Sequence, residues 1–210
     1  MSISQMRYLL LSSFLVVGLS CNKSVYRDLE IANEKAECLS KFIPNFESVL
    51  YNTQVNVLGK HISGLLLFKK ISDNNIRVVF SGEIGVKYFD FEFSKKGFKV
   101  EYCMTQFNKK VVINQLRKVI GLMIMNDINF SEAKSMHSET EAYFKFQSGK
   151  EATYYITDFY CTHLLRIENA KNNTKKIILN LSDYKNGMAD SVYIAHKLFE
   201  FNISLKQIDR

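Results

Sequence analysis

The run from His61 to Met104, HISGLLLFKKISDNNIRVVFSGEIGVKYFDFEFSKKGFKVEYCM, constrains the fold of this chain more than any other segment. Phe89, Phe91 and Phe93 alternate with Tyr88, Asp90 and Glu92. Phe98, Val100, Tyr102 and Met104 then alternate with Lys99, Glu101 and Cys103. A period of two belongs to a strand with one buried face. Asp73-Asn74-Asn75, Ser81 to Gly85 and Lys95-Lys96-Gly97 supply the turn chemistry between the runs, so the segment reads as a four-stranded antiparallel meander. Its aromatic face needs a cover, because an exposed sheet of that character invites aggregation.

The remaining segments supply that cover and more strand. Glu47 to Leu58 reads as a preceding strand. Six further strands follow a polar, irregular stretch from Asp127 to Glu139: Glu141 to Gln147, Glu151 to Thr157, Cys161 to Glu168, Lys175 to Leu181, Ser191 to Lys197 and Glu200 to Ile208. Val112, Leu116, Val119 and Met123 share one helical face with Ile113, Ile120 and Ile124, so the helix from Val112 to Met125 is expected to lie on the aromatic face of the meander. A second, leading helix is expected from Val25, Leu29, Ala32, Ala36, Leu39 and Ile43, ending before Pro44. The fold class is therefore mainly β with helices: a single strongly curled antiparallel sheet of about 10–11 strands, a half-barrel covered by helices. Sixteen Phe and eleven Tyr in a chain of 210 residues suit such a body. The concave wall can be filled as a solid core or keep an apolar cavity, and the residues leave both open.

The N-terminus is a separate object. Arg7 precedes the apolar run Tyr8 to Leu19, then Ser20 and Cys21, the pattern of a secretory signal too short for a membrane span. Gly18-Leu19-Ser20-Cys21 resembles the lipobox of bacterial lipoproteins, with Gly18 where that pattern usually has Leu. An ordinary signal peptide or an uncleaved helix is the alternative. The expected organisation is a signal peptide over residues 1–20, a lipidated Cys21 with a tether to residue 25, and one domain over residues 26–210. Of the 28 basic residues, Arg7 would be lost with the signal, and the others outnumber the 21 acidic ones. That balance suits an anionic membrane surface. The lysines sit as pairs at strand ends, and an exported chain rarely meets chromosomes, so nucleic acid is not expected as a partner.

No constellation of residues suggests catalysis. His61, His137, His163 and His196 are far apart in sequence, none forms a metal-binding pair, and no Ser or Cys sits in a nucleophile elbow. Asp90 and Glu92 lie about 7 Å apart on the face opposite the phenylalanines, where a solvated strand face accounts for them. One disulfide is possible among Cys38, Cys103 and Cys161. The spacings lack a metal-ligand pattern, and buried free thiols on strands are the reading for Cys103 and Cys161. No enzyme activity, cofactor or metal is expected.

The order of elements, together with Ser63-Gly64-Leu65-Leu66-Leu67, Ile76-Arg77-Val78-Val79-Phe80 and Ile84-Gly85, resembles the opening of LolA/LolB-type lipoprotein carriers, LolB being the lipid-anchored kind. The resemblance implies a half-barrel whose apolar cavity holds the acyl chains of lipoproteins bound for the outer membrane. Here that cavity would be walled by Phe89, Phe91, Phe93, Phe98, Val100, Leu116, Val119 and Met123. It also implies an outward-projecting apolar residue in an early turn, which would be Ile84, although Glu83 stands where the family usually has Pro. A turn residue folded back onto the sheet edge is the other reading of Ile84. The implied protein is a monomeric outer-membrane lipoprotein facing the periplasm, held to the membrane through its N-terminal lipid, with acyl chains or lipoproteins as partners. The alternative is an adaptor lipoprotein with a filled core that binds a protein at its edges.

Overall fold

The computed structural model describes residues 26–208 except 58, 127, 186, 198 and 199. The expected signal, Cys21 and the first residue of the expected leading helix lie outside the described residues. Thirteen strands form one antiparallel sheet: β1 (Glu30–Ile31), β2 (Ser48–Val57), β3 (Lys60–Ser72), β4 (Asn75–Ser81), β5 (Lys87–Ser94), β6 (Gly97–Cys103), β7 (Lys134–His137), β8 (Glu141–Ser148), β9 (Glu151–Asp158), β10 (Leu164–Lys171), β11 (Thr174–Lys185), β12 (Met188–His196) and β13 (Phe201–Gln207). Their spatial order is β1-β7-β8-β9-β10-β11-β12-β13-β2-β3-β4-β5-β6. The sheet is thus two meanders joined where β13 pairs with β2, and it does not close, since β1 and β6 are its edges.

Burial alternates along the strands as the sequence pattern requires. Phe89, Phe91 and Phe93 enter the main core together with Val49, Tyr51, Phe68, Val78, Phe144, Ile167, Leu179 and Ile194. Residues from both meanders meet in one core, so the sheet curls strongly. The register shifts three times in the meander, between Lys70 and Ser72, between Phe80 and Ser81, and between Asp90 and Phe91. A bulge between Asp90 and Phe91 pairs Phe91 with Val100 but Asp90 with Tyr102 and Phe89 with Cys103. A bulge inserts one residue and reverses the faces beyond it. Phe98 therefore leans on the core, while Tyr102 points outward with Asp90 and Cys103 packs inward.

One α-helix, α1 (Lys110–Met123), follows β6 and lies on the concave side, where Val119, Ile120, Leu122 and Met123 are buried. The expected leading helix does not form. Residues 26–46 run instead as an extended arm with the two-residue β1 and a 3-10 turn over Ala36–Phe42. The reason lies in where its apolar side chains go. Tyr26 and Leu29 pack on the convex face against Tyr143, Tyr154 and Ile156, whereas Ala36, Leu39 and Phe42 enter the concave core. No single helical face could serve both sides of a sheet. The stretch after α1 is also more ordered than its polarity suggests, holding a 3-10 turn over Phe130–Glu132 and β7.

Cys38 is bridged to Cys161, which ties the arm to the β9–β10 turn across 123 residues. Cys161 is thus neither free nor on a strand; it sits in the turn with φ 56°. Cys103 keeps its thiol, and burial raises its pKa.

Candidate apolar binding site

The fit of α1 on the sheet changes along its length. Towards its C-terminal end the helix is packed: Val119, Ile120, Leu122 and Met123 share the core with Phe91 and Phe93. Gly121 faces the Phe93 ring, and a Cβ there would make ordinary contact at 4.0 Å. Towards its N-terminal end the helix stands off the sheet and roofs an apolar cleft of about 470 Å³. Val55, Val57, Ile62, Leu66, Phe80 and Phe89 wall it from β2–β5, and Ile194, Phe201, Ile203 and Leu205 from β12–β13. Val112, Leu116, Val119 and Met123 close it from α1. Lys60, Gln106 and Lys109 bring polar groups to its lining.

Of the eight residues expected to wall a cavity, Phe89, Leu116, Val119 and Met123 do so. Phe91 lies fully buried in the packed core (0% exposed) and lines neither cleft. Phe93 and Phe98 face a different cleft on the other flank of α1, where Arg117, Lys118, Asn114, Gln147 and Glu132 share the lining with their rings. Val100 is on the edge strand at 37% exposure and lines neither cleft. Edge position outweighs its inward register, because β6 has no outer neighbour to cover it. Most of the apolar wall comes from strands whose alternation is plain in the sequence, such as Phe201-Ile203-Leu205, but no local signal says which inward residues meet packing atoms and which meet space.

The β4–β5 loop stands beside the cleft. Ile84 at its tip is 90% exposed, so it projects and does not fold back. The loop is held from below: Ser63 donates to the Glu83 carboxylate at 2.9 Å, and the Gly82 backbone lies against the Tyr88 hydroxyl, whose ring also lines the cleft. Gly85 takes φ +81°, a conformation that disfavours a Cβ. Gly64 of β3 is needed for closeness, since a Cβ there would strike the Ser81 carbonyl where β4 ends.

The convex face holds buried, paired carboxylates beside its small apolar cluster. Asp90 is 2% exposed, not solvated as its position opposite the phenylalanines suggests, and is held by Arg77 at 2.7 Å and Lys87 at 2.8 Å. Burial pushes its pKa up, but the bonds from Arg77 and Lys87 outweigh that and leave it lowered. Glu168, 1% exposed, accepts from Tyr26, Arg166 and Lys175. Arg166 also binds Glu141, and Tyr26 stacks on Tyr154 with centroids 3.9 Å apart. These groups fasten the arm to the outer face. The histidines stay dispersed: His61 meets Asn56, His137 lies 3.9 Å from Glu30, and His163 sits with Asp158 on an exposed turn. Among the described residues no group of three His, Cys, Asp or Glu could hold a metal ion. No described helix is long and apolar enough to cross a membrane.

No protein-family model matches the sequence, and no curated protein matches it. The structure aligns with a LolA superfamily protein from Nitrosomonas europaea at a TM-score of 0.57, covering 85% of this chain and 93% of that one with 8% identity. The chain has a LolA-like fold. A putative outer membrane lipoprotein-sorting protein domain from Vibrio parahaemolyticus aligns over 83% of this chain and 90% of that one, with TM-score 0.46 and 8% identity. A DUF1329 family protein from Desulfovibrio piger covers the same shares, with TM-score 0.45 and 7% identity. At 8% identity the first of these alignments speaks to the fold alone.

Proposed function

We propose that this chain is a non-enzymatic envelope lipoprotein of the lipid-anchored, LolB-like kind, which takes acyl chains into its apolar cleft and assists lipoproteins to the outer membrane. The observation that carries the reading is the cleft itself: about 470 Å³ of open space with an almost wholly apolar wall, beside an exposed isoleucine tip. That volume falls among small-molecule sites, roughly 300–1,000 Å³. A filled core, which an adaptor protein would have, is not what lies under the N-terminal half of α1.

Handover follows from burial energetics. Acyl burial is worth about 0.8 kcal/mol per CH₂, so a chain leaves one apolar site only for another of similar quality. A cleft beside an apolar tip shortens the path through water between carrier and bilayer. The LolA-like fold is in keeping with this activity. Purified, delipidated protein is expected to take up a fluorescent fatty acid and to accept an acylated lipoprotein. Failure to bind either would remove the carrier reading. For the anchor, labelled palmitate should enter the wild type and not Cys21→Ser.

A further inference from the structure

The register places the β2–β3, β4–β5, β8–β9, β10–β11 and β12–β13 turns at one end of the sheet, and α1 starts from that end after β6. Six exposed lysines gather there: Lys60, Lys109, Lys110, Lys150, Lys171 and Lys197. None of the six makes an ion pair among the described residues. The acidic residues at these turns are fewer: Glu83, already bonded to Ser63, Glu151, opposite Lys171 in register and paired with Lys118, and Glu200. The opposite end mixes signs, with Asp73 paired to Lys70 and Asp158 bonded within its own turn.

Two of the six make the arrangement costly for the isolated molecule. Lys109 is the N-cap of α1 and Lys110 its first residue, with no side-chain cap and no acidic residue in the first turn. The helix dipole puts partial positive charge at this point, so cations there destabilise the helix. An anionic surface relieves both the dipole and the lysine cluster. The same end carries Ile84 at 90% exposure and Val86 at 42%. An apolar tip at the same end of the sheet as these unpaired lysines fits the boundary of an anionic bilayer, with the tip among the acyl chains and the ammonium groups at headgroup level. From this geometry we infer that the lysine-rimmed end docks onto an anionic phospholipid bilayer, which turns the apolar cleft towards the membrane. The inference adds an orientation to the carrier reading and can stand if that reading falls.

The chain has no Trp, so Ile84→Trp gives a single reporter. The full-length chain carrying this substitution is reconstituted into vesicles of brominated phosphatidylcholine, with or without about 30% phosphatidylglycerol, so that any anchor is common to every arm. Phosphatidylglycerol is expected to raise the quenching of the introduced indole and shift the ratio of docked to undocked molecules at least about tenfold. Salt near 0.5 M, which contracts the Debye length to roughly 4 Å, should reverse the gain. Adding K110E, K150E, K171E and K197E should abolish it, while uptake of a soluble fluorescent fatty acid stays unchanged as a check on folding. Equal quenching with and without phosphatidylglycerol, or a gain that survives the four reversals, would overturn the inference. Charge-dependent quenching without fatty-acid uptake would uphold docking and reject the carrier function.

Discussion

The two ends of α1 rest on the same sheet with opposite results. Towards the C-terminal end, Val119, Ile120, Leu122 and Met123 are buried in the core that holds Phe91 and Phe93, with Val119, Ile120 and Met123 also forming the cleft's inner limit, and Leu39, Phe42 and Leu164 complete that core behind the Cys38–Cys161 bridge. At the N-terminal end the same helical face looks across open space to Val55, Phe80 and Ile203. Stability is concentrated where the helix is packed, and capacity for a ligand where it is not. A cleft that displays apolar side chains to water forgoes burial energy, and the closed end, the bridge and the convex-face ion pairs compensate.

The largest effect should come from breaking the closed end. Phe91→Ala empties a fully buried site and is expected to cost about 3–5 kcal/mol in denaturant unfolding. Leu116→Ala at the open end should cost only about 1 kcal/mol, because its neighbour is already space. Similar losses at both positions would mean that the two ends are packed alike. Replacing Cys38 and Cys161 by Ser together should remove about 2–4 kcal/mol, with the loss abolished when wild type is measured under reducing conditions.

Ligand binding should divide the molecule the other way. Leu116→Trp fills the cleft and is expected to weaken a fluorescent fatty acid at least about tenfold, while Arg117→Ala, one residue on but facing the polar cleft, should leave it within about twofold. Direct titration checks both.

The smallest effect concerns the outer face. Arg166 holds the Glu141 carboxyl below the ordinary value of 4.5; burial raises Glu168, but Lys175, Tyr26 and Arg166 outweigh it and hold that group below 4.5 as well. Folded values below unfolded ones give stability that is complete above pH 4.5 and is lost as pH falls through the folded values. Acidification below 4.5 should therefore raise hydrogen exchange in residues 26–31 before it does so in β2–β5. Simultaneous exchange in both regions would show that these carboxylates do not fasten the arm separately.

How far the molecule is legible in its sequence depends on the range of the interaction. The meander, the α1 helix and most strands follow from periodicity, because inward and outward positions alternate within a few residues. The arm reads as a helix because its apolar residues step by three and four, yet they serve two faces of a sheet that other segments build. Val100 reads as a wall residue because its register is inward, but its strand is the edge. The bridge between Cys38 and Cys161 and the division of the concave face into core and cleft depend on contacts across the whole chain. Ile84 is legible as a candidate tip through a resemblance, and only the loop's supports at Ser63 and Tyr88 show that it projects.

The most direct test of the central claim is to ask where an acyl chain sits. Photo-crosslinking the protein with a fatty acid that carries a diazirine near its methyl end, followed by peptide mass mapping, reports the wall it touches. Labelling is expected at Val57, Phe89, Leu116 or Ile203 in the apolar cleft and is expected to be lost in Leu116→Trp. Labelling confined to the Phe98, Arg117 and Phe146 side of α1, or labelling that Leu116→Trp leaves intact, would contradict it.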